Sequence, residues 1–414
     1  MPTNSASTLV ILYCISTAVA IAVRSLRIPY TITLVVVGLA LGSFRVVTPP
    51  HLTQELLFTF FLPGLLFEAA FHLDLTAFRQ VWRSAVGLAL PGVLAATGIT
   101  ALLVVTGGRV FGVATPIDMS FGLVFGALVA ATDPVAVTAL FRELRAPRRL
   151  AALVEAESLF NDGTGVVFLS LVLAYVMGGD MSLATASVQF ALVAGGGVLV
   201  GLCVGWAVSI IIHRVDAPVI EIGLTVIAAY GSFVLADRLA ASGVLATVVS
   251  GMMCGRQGRD RGMSAPSREA VQSFWEYIAF ALNSIVFLLI GFQFDAIRLR
   301  AIWPEILLAF AAMLLARAVI VASMLLLQRA STERMPRAWG GLITLGGLRG
   351  ALSVVLALAL PPELAQRDVI VSLTVGVVLV SIIGQGLSMP LLLRRLGMRG
   401  ALPLATDSHS APID

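Results

Sequence analysis

A chain of 414 residues with 58% hydrophobic and 12% charged residues cannot clothe two or three soluble domains, which need about a quarter of their residues charged. The mean hydropathy of +0.98 places it in lipid. Its 27 basic residues are all arginine, and against 23 acidic ones they leave a formal charge of +4, too weak and too scattered for a nucleic-acid footprint.

A bilayer core of about 30 Å takes about 20 apolar residues per helix. On that measure the chain reads as an all-α membrane protein of about thirteen spans, near residues 8–23, 30–47, 56–72, 82–105, 119–140, 151–177, 185–212, 219–236, 241–254, 271–293, 302–327, 339–360 and 369–394. No basic residue precedes the first stretch, which reads as a retained helix rather than a secretory leader. Cys14, Cys203 and Cys254 lie far apart in apolar stretches without CxxC spacing and read as packing residues. Polar linkers are short, Gly255 to Arg268 being among the longest, and residues 400–414 form a short tail. Nothing in the sequence suggests a soluble catalytic or nucleotide-binding domain.

Arginine asymmetry predicts orientation, because positively charged loops stay cytoplasmic. Nineteen arginines follow odd-numbered spans or lie in the tail, six lie on the opposite side, and Arg317 and Arg349 fall inside spans. The N-terminus is therefore expected outside and the C-terminus in the cytoplasm of a multi-pass cell-membrane protein.

An ionisable side chain near the bilayer centre costs at least about 2.5–3.5 kcal/mol, so each one found there needs a function or a partner. In the fifth span, Thr132-Asp133-Pro134 puts a carboxylate roughly 21 Å from the outer end. In the sixth, Glu155-Ala156-Glu157-Ser158-Leu159-Phe160-Asn161-Asp162 puts Asp162 roughly 16 Å from the cytoplasmic end, so the two aspartates approach one depth from opposite sides. Pro134 lacks a backbone donor and disfavours helix at Asp133, so the fifth span should break there and free oxygen ligands suited to a small hard cation. Ser158 and Asp162, at i and i+4, share a face, whereas Glu157 points elsewhere. Glycines 340, 341, 346, 347 and 350 mark the twelfth span as a second break, seven spans after the first. An odd offset inverts topology, so spans one to six and eight to thirteen read as two inverted repeats of six with crossed discontinuous helices 5 and 12, the sequence mark of a midplane transport site.

These residues resemble the monovalent cation:proton antiporter family, which includes the bacterial and archaeal NhaP type and the animal sodium/proton exchangers. The likeness runs from Phe61-Leu62-Pro63-Gly64-Leu65-Leu66-Phe67-Glu68 to Gly347-Leu348-Arg349-Gly350. Its most specific marks are Thr132-Asp133-Pro134 and Glu157-Ser158-Leu159-Phe160-Asn161-Asp162, and Phe274-Trp275-Glu276 with Asn283-Ser284 looks like the bacterial branch. The resemblance implies that Asp162 binds either the cation or the proton. Thr132, Asp133, Ser158 and Glu157 complete or support the site, and Asn161, which cannot titrate, points to electroneutral one-for-one exchange. It further implies that Glu157 pairs with Arg317 and that Arg349 stabilises the crossing. The implied architecture is a moving core around the fifth, sixth, eleventh and twelfth spans (about 119–177 and 302–360), with the remaining helices forming a scaffold for a homodimer. Sodium is favoured, with lithium and potassium left open.

Simpler roles remain for several of these groups. Glu157 with Arg317 is as readily a structural ion pair as a functional one. Glu68, with His72 and Asp74, lines an access funnel or a solvated face, and Glu155 stands in the same position. Glu221, Asp237 and Glu276 at span ends are expected to face water or headgroups. An intramembrane aspartyl protease also needs two membrane-depth aspartates, but no GxGD motif occurs and Asp133 precedes proline. The scattered histidines form no HExxH metalloprotease motif. A channel would need no protonatable carboxylate. No cofactor, nucleotide or nucleic acid is expected; the ligands are the transported ions and the bilayer.

Overall fold

Without water in the bilayer core, each backbone N–H and C=O must bond within the protein, and apolar runs satisfy this as helices. The computed structural model describes residues 5–23, 30–44, 57–112, 117–143, 146–179, 182–292, 300–328 and 335–395. In chain order the helices are α1 (Ser5–Val23), α2 (Tyr30–Ser43), α3 (Leu62–His72, continuing a wider turn at Leu57–Phe61), the short α4 (Leu75–Phe78) and α5 (Trp82–Val110). Then come α6 (Met119–Leu128), α7 (Val135–Glu143), α8 (Arg148–Val176), α9 (Leu183–Ile212), α10 (Pro218–Arg238) and α11 (Gly243–Met253). The last are α12 (Ala265–Phe292), α13 (Trp303–Leu327), α14 (Trp339–Gly346), α15 (Ala351–Leu358) and α16 (Arg367–Met389). Among the described residues, seven helices are long and apolar enough to cross a membrane unaided, with shorter apolar helices beside them.

Both predicted breaks are present. The fifth span divides into α6 and α7 around Val129–Pro134, and the twelfth into α14 and α15 around Gly347–Gly350. The two interruptions touch: the Asp133 amide donates to the Leu348 carbonyl at 2.8 Å, an isolated antiparallel bridge between unwound segments. Glycine is required here, since a Cβ at Gly350 would overlap the Asp133 carboxylate and one at Gly347 the Arg317 guanidinium.

Around the crossing, Phe121, Leu128, Ile306, Ala312, Leu356 and Leu373 share one apolar cluster, and Val104 joins it from α5. Thus α5 and α16 pack with α6, α8, α13 and α15. A second group gathers α3, α9, α10, α11 and α12, with Phe67, Phe71, Ala228, Cys254 and Trp275 buried together. There α9 lies tight on α11: a Cβ at Gly201 would strike the Ala246 carbonyl, the close approach that small residues permit between helices in lipid. Outward faces remain apolar, with Leu192, Leu199, Trp206 and Leu315 exposed, as contact with lipid tails requires.

Three expectations need correction. Much of the Gly255–Arg268 linker is helical, because α11 runs on as wider turns over Cys254–Gly262 and α12 starts at Ala265. This extension is held by the Arg259 guanidinium, which donates to the Phe71 carbonyl at 2.9 Å. Glu221 is not at a wet span end. It is fully buried, and Oε1 accepts from the Ser267 hydroxyl at 2.8 Å where the first turns of α10 and α12 meet, a setting whose free N–H groups favour an anion. Asp237 and Glu276 are exposed. Cys254 packs inside, whereas Cys14 and Cys203 lie exposed on the outer faces of α1 and α9.

Candidate ion-binding site

Each interrupted helix leaves main-chain ends without partners, and at membrane depth those ends must be satisfied. On the carbonyl side of α6, the Arg349 guanidinium donates to the Ala130 and Ala131 carbonyls at 2.8 and 3.0 Å. On the carbonyl side of α14, Arg317 donates to the Ile343 carbonyl through Nε and Nη2, at 3.1 and 2.9 Å. At the opposite polarity, Asp133 accepts from the Val135 amide at 2.9 Å and from the Ala351 amide, the first residues of α7 and α15. Cations thus sit at carbonyl ends and a carboxylate at amide ends, the arrangement that helix dipoles favour.

Arg317 has a second partner. Its two terminal nitrogens bind Glu157 Oε1 and Oε2 at 2.7 and 2.8 Å, a bidentate pair between α13 and α8 that is almost wholly buried. Arg349 is tied further through its amide to the Ser381 hydroxyl at 2.9 Å and through Nε to the Met313 sulfur at 3.0 Å. Ser381 donates to Gln385, whose amide donates to the Leu345 carbonyl at 3.2 Å, so α16 braces the same crossing.

Against this frame lies a cavity of about 110 Å³ lined by Thr132, Asp133, Ser158 and Asp162, by Glu68 from α3, and by Asn283 from α12. Asp162 Oδ1 is buried without a hydrogen-bond partner among the described residues. The Ser158 hydroxyl donates to the Thr132 carbonyl, and Asn161 donates to the Ala130 carbonyl at 3.0 Å and to Thr132 Oγ1 at 3.4 Å. Asn161 therefore braces the unwound strand from behind, and its own Oδ1 lacks a partner. Glu68, about one-fifth exposed, lies 3.2 Å from His72 Nδ1.

Of the residues singled out in the sequence, Asp162, Asp133, Thr132, Ser158 and Glu68 meet at one cavity; Asn161, Arg317, Arg349 and Glu157 hold its walls. Glu155 is half-buried on α8 and is not among the residues lining the cavity. Sequence reasoning gave no role to Asn283, which reaches the cavity from the other helix group. Its signal was present as a polar residue within the apolar run Phe280–Leu289.

A model of the sodium/hydrogen exchanger, transmembrane family matches residues 10–395. The Na(+)/H(+) antiporter NhaP of Pseudomonas aeruginosa is 39% identical over 366 residues, spanning 86% of this chain and 84% of that protein. The Na(+)/H(+) antiporter NhaH of Halobacillus dabanensis is 34% identical over 405 residues, spanning 94% and 97%. The fold is similar to that of the sodium proton antiporter MjNhaP1 from Methanocaldococcus jannaschii, with a TM-score of 0.77 at 23% identity, covering 95% of this chain and 98% of that one. A family match across nearly the whole length, relatives aligned end to end and a shared fold together make this chain a member of the sodium/hydrogen exchanger transmembrane family.

Proposed function

We propose that the protein is a secondary antiporter that exchanges sodium for a proton at Asp162, one for one and without net charge movement. The observation that carries this reading is the Asp162 oxygen left without a partner among the described residues, in a largely apolar cavity at the crossing of two broken helices. An ionised carboxylate is disfavoured at such depth, and either a proton or a cation neutralises it. The two ions therefore compete for one group, and the empty ionised form is the state least able to move. The Ser158 hydroxyl and the Thr132 oxygens are the oxygen donors next to it for a cation that has shed water. Relatives named as Na(+)/H(+) antiporters favour sodium over potassium and lithium.

The shared packing of α5, α6, α8, α13, α15 and α16, to which the Asp133 and Arg317 contacts tie α7 and α14, supports a moving core larger than the sequence suggested, with α5 and α16 included. The remaining helices would form the stationary scaffold, through which two copies associate. Arginine asymmetry supports a cell-membrane orientation with the C-terminus in the cytoplasm.

The test uses proteoliposomes loaded with a pH-sensitive dye and given sodium, lithium or potassium chloride. Sodium should collapse an imposed pH gradient through the wild-type protein, and Asp162→Asn should not differ from protein-free vesicles. Wild-type rates in Asp162→Asn would refute the assignment.

A further inference from the structure

We propose that a second, polar cavity at the far end of α3 binds a phosphate group. This cavity, about 390 Å³, is lined by His72, Asp74, Thr76, Arg79, Arg256 and Arg259 and lies at the end of the molecule assigned above to the cytoplasm. Three guanidinium groups line it from two chain segments, the turn just after α4 and the helical extension after α11. Arg79 is exposed and Arg256 half-buried, and neither forms an ion pair among the described residues. Arg259 is held by the Phe71 carbonyl at 2.9 Å and by the Phe71 ring, 5.5 Å away, which fixes its position at the wall.

One carboxylate lines the cavity, fewer than the guanidinium groups of Arg79 and Arg256 that face it. Asp74 Oδ1 accepts from the Thr76 and Ala77 amides at 3.0 Å, so it is spent starting α4. His72 turns Nδ1 toward Glu68, whose carbonyl lies 3.0 Å away, and its buried Nε2 has no partner. Guanidinium donors from separate segments suit a compact anion with several acceptor oxygens, and planar guanidinium groups match phosphate oxygens in pairs. Two sources share the chemistry: free phosphate in the cytoplasm, and the headgroup of an anionic phospholipid in the facing leaflet.

Binding there would reach the ion site. Arg79 immediately follows α4, and Phe78 of α4 lies 5.8 Å, ring to ring, from Phe160, two residues before Asp162. A phosphate bridging Arg79 to Arg256 and Arg259 would tie α4, which packs on α8, to the extension of α11. That consequence rests on the antiport reading; the binding does not, and its test reads no transport.

The experiment titrates full-length protein in neutral detergent with inorganic phosphate, with short-chain phosphatidic acid and with octanoate as a carboxylate control, following the melting temperature. Wild type should show a saturable upward shift, and Arg79→Gln with Arg256→Gln should raise the half-saturating concentration at least tenfold. A shift from inorganic phosphate assigns the free anion, and a shift from phosphatidic acid alone assigns the headgroup. Should the double variant not fold, Arg79→Gln alone, at an exposed position, carries the comparison. No saturable shift with either phosphate compound, an equal shift from octanoate, or unchanged half-saturation in the variants would overturn the proposal.

Discussion

At position 157 a carboxylate meets both terminal nitrogens of Arg317 with almost no access to water. Removing one member of such a pair leaves the other charge buried and bare, a loss of about 3–5 kcal/mol, whereas replacing both with apolar groups is often close to neutral. Glu157→Gln should therefore lower the melting temperature sharply. The double change Glu157→Leu with Arg317→Met should recover part of that loss and no more, because Arg317 also closes the carbonyl end of α14. Full recovery would show that the second contact contributes nothing. Asn283 poses a different question, since it lines the cavity without joining the frame. Asn283→Ala should raise the KM for sodium several-fold in dye-loaded vesicles and leave the melting temperature within a degree or two of wild type.

The interrupted helices show where reading the sequence succeeded and where it stopped. Pro134 and the glycines near 347 announced both breaks, because missing donors and missing Cβ atoms are local properties. That Asp133 caps α7 and α15 together was not legible, since it depends on two segments more than 200 residues apart lying across one another. Arg317 was legible as a partner for Glu157 and not as the cap of α14, for the same reason. Glu221 was misread because hydropathy places a charge along a helix and says nothing about the neighbouring helix, here with Ser267 turned toward it. The crossing itself predicts the outcome of a small change. Gly350→Ala puts a methyl group where the Asp133 carboxylate lies, and overpacking of that kind costs about 1–3 kcal/mol. Its melting temperature should fall and sodium-driven proton flux should be lost, whereas Gly98→Ala, on α5 with open space around it, should retain both.

For the whole molecule, arginine placement and charge bookkeeping make separate statements. A fluorescent-protein fusion at the C-terminus should glow and an alkaline phosphatase fusion there should be silent, because that terminus is assigned to the cytoplasm. One-for-one exchange further requires that the sodium-driven proton flux keep the same initial rate when a potassium diffusion potential of either sign is imposed across the vesicle. A rate that follows the imposed voltage would rule out electroneutral turnover.

The ring of fixed partners around the crossing bears on how the protein meets an electric field. Arg349, Arg317, Asp133 and Glu157 are each committed to a main-chain end or to one another, so the rigid motion proposed above would carry them as a bundle of opposite signs that nearly cancels. On the proposed reading the side chain at 162 would be the variable charge, and its occupant would cancel that too. Such a machine would be driven by concentrations on the two sides and be almost deaf to the membrane's battery.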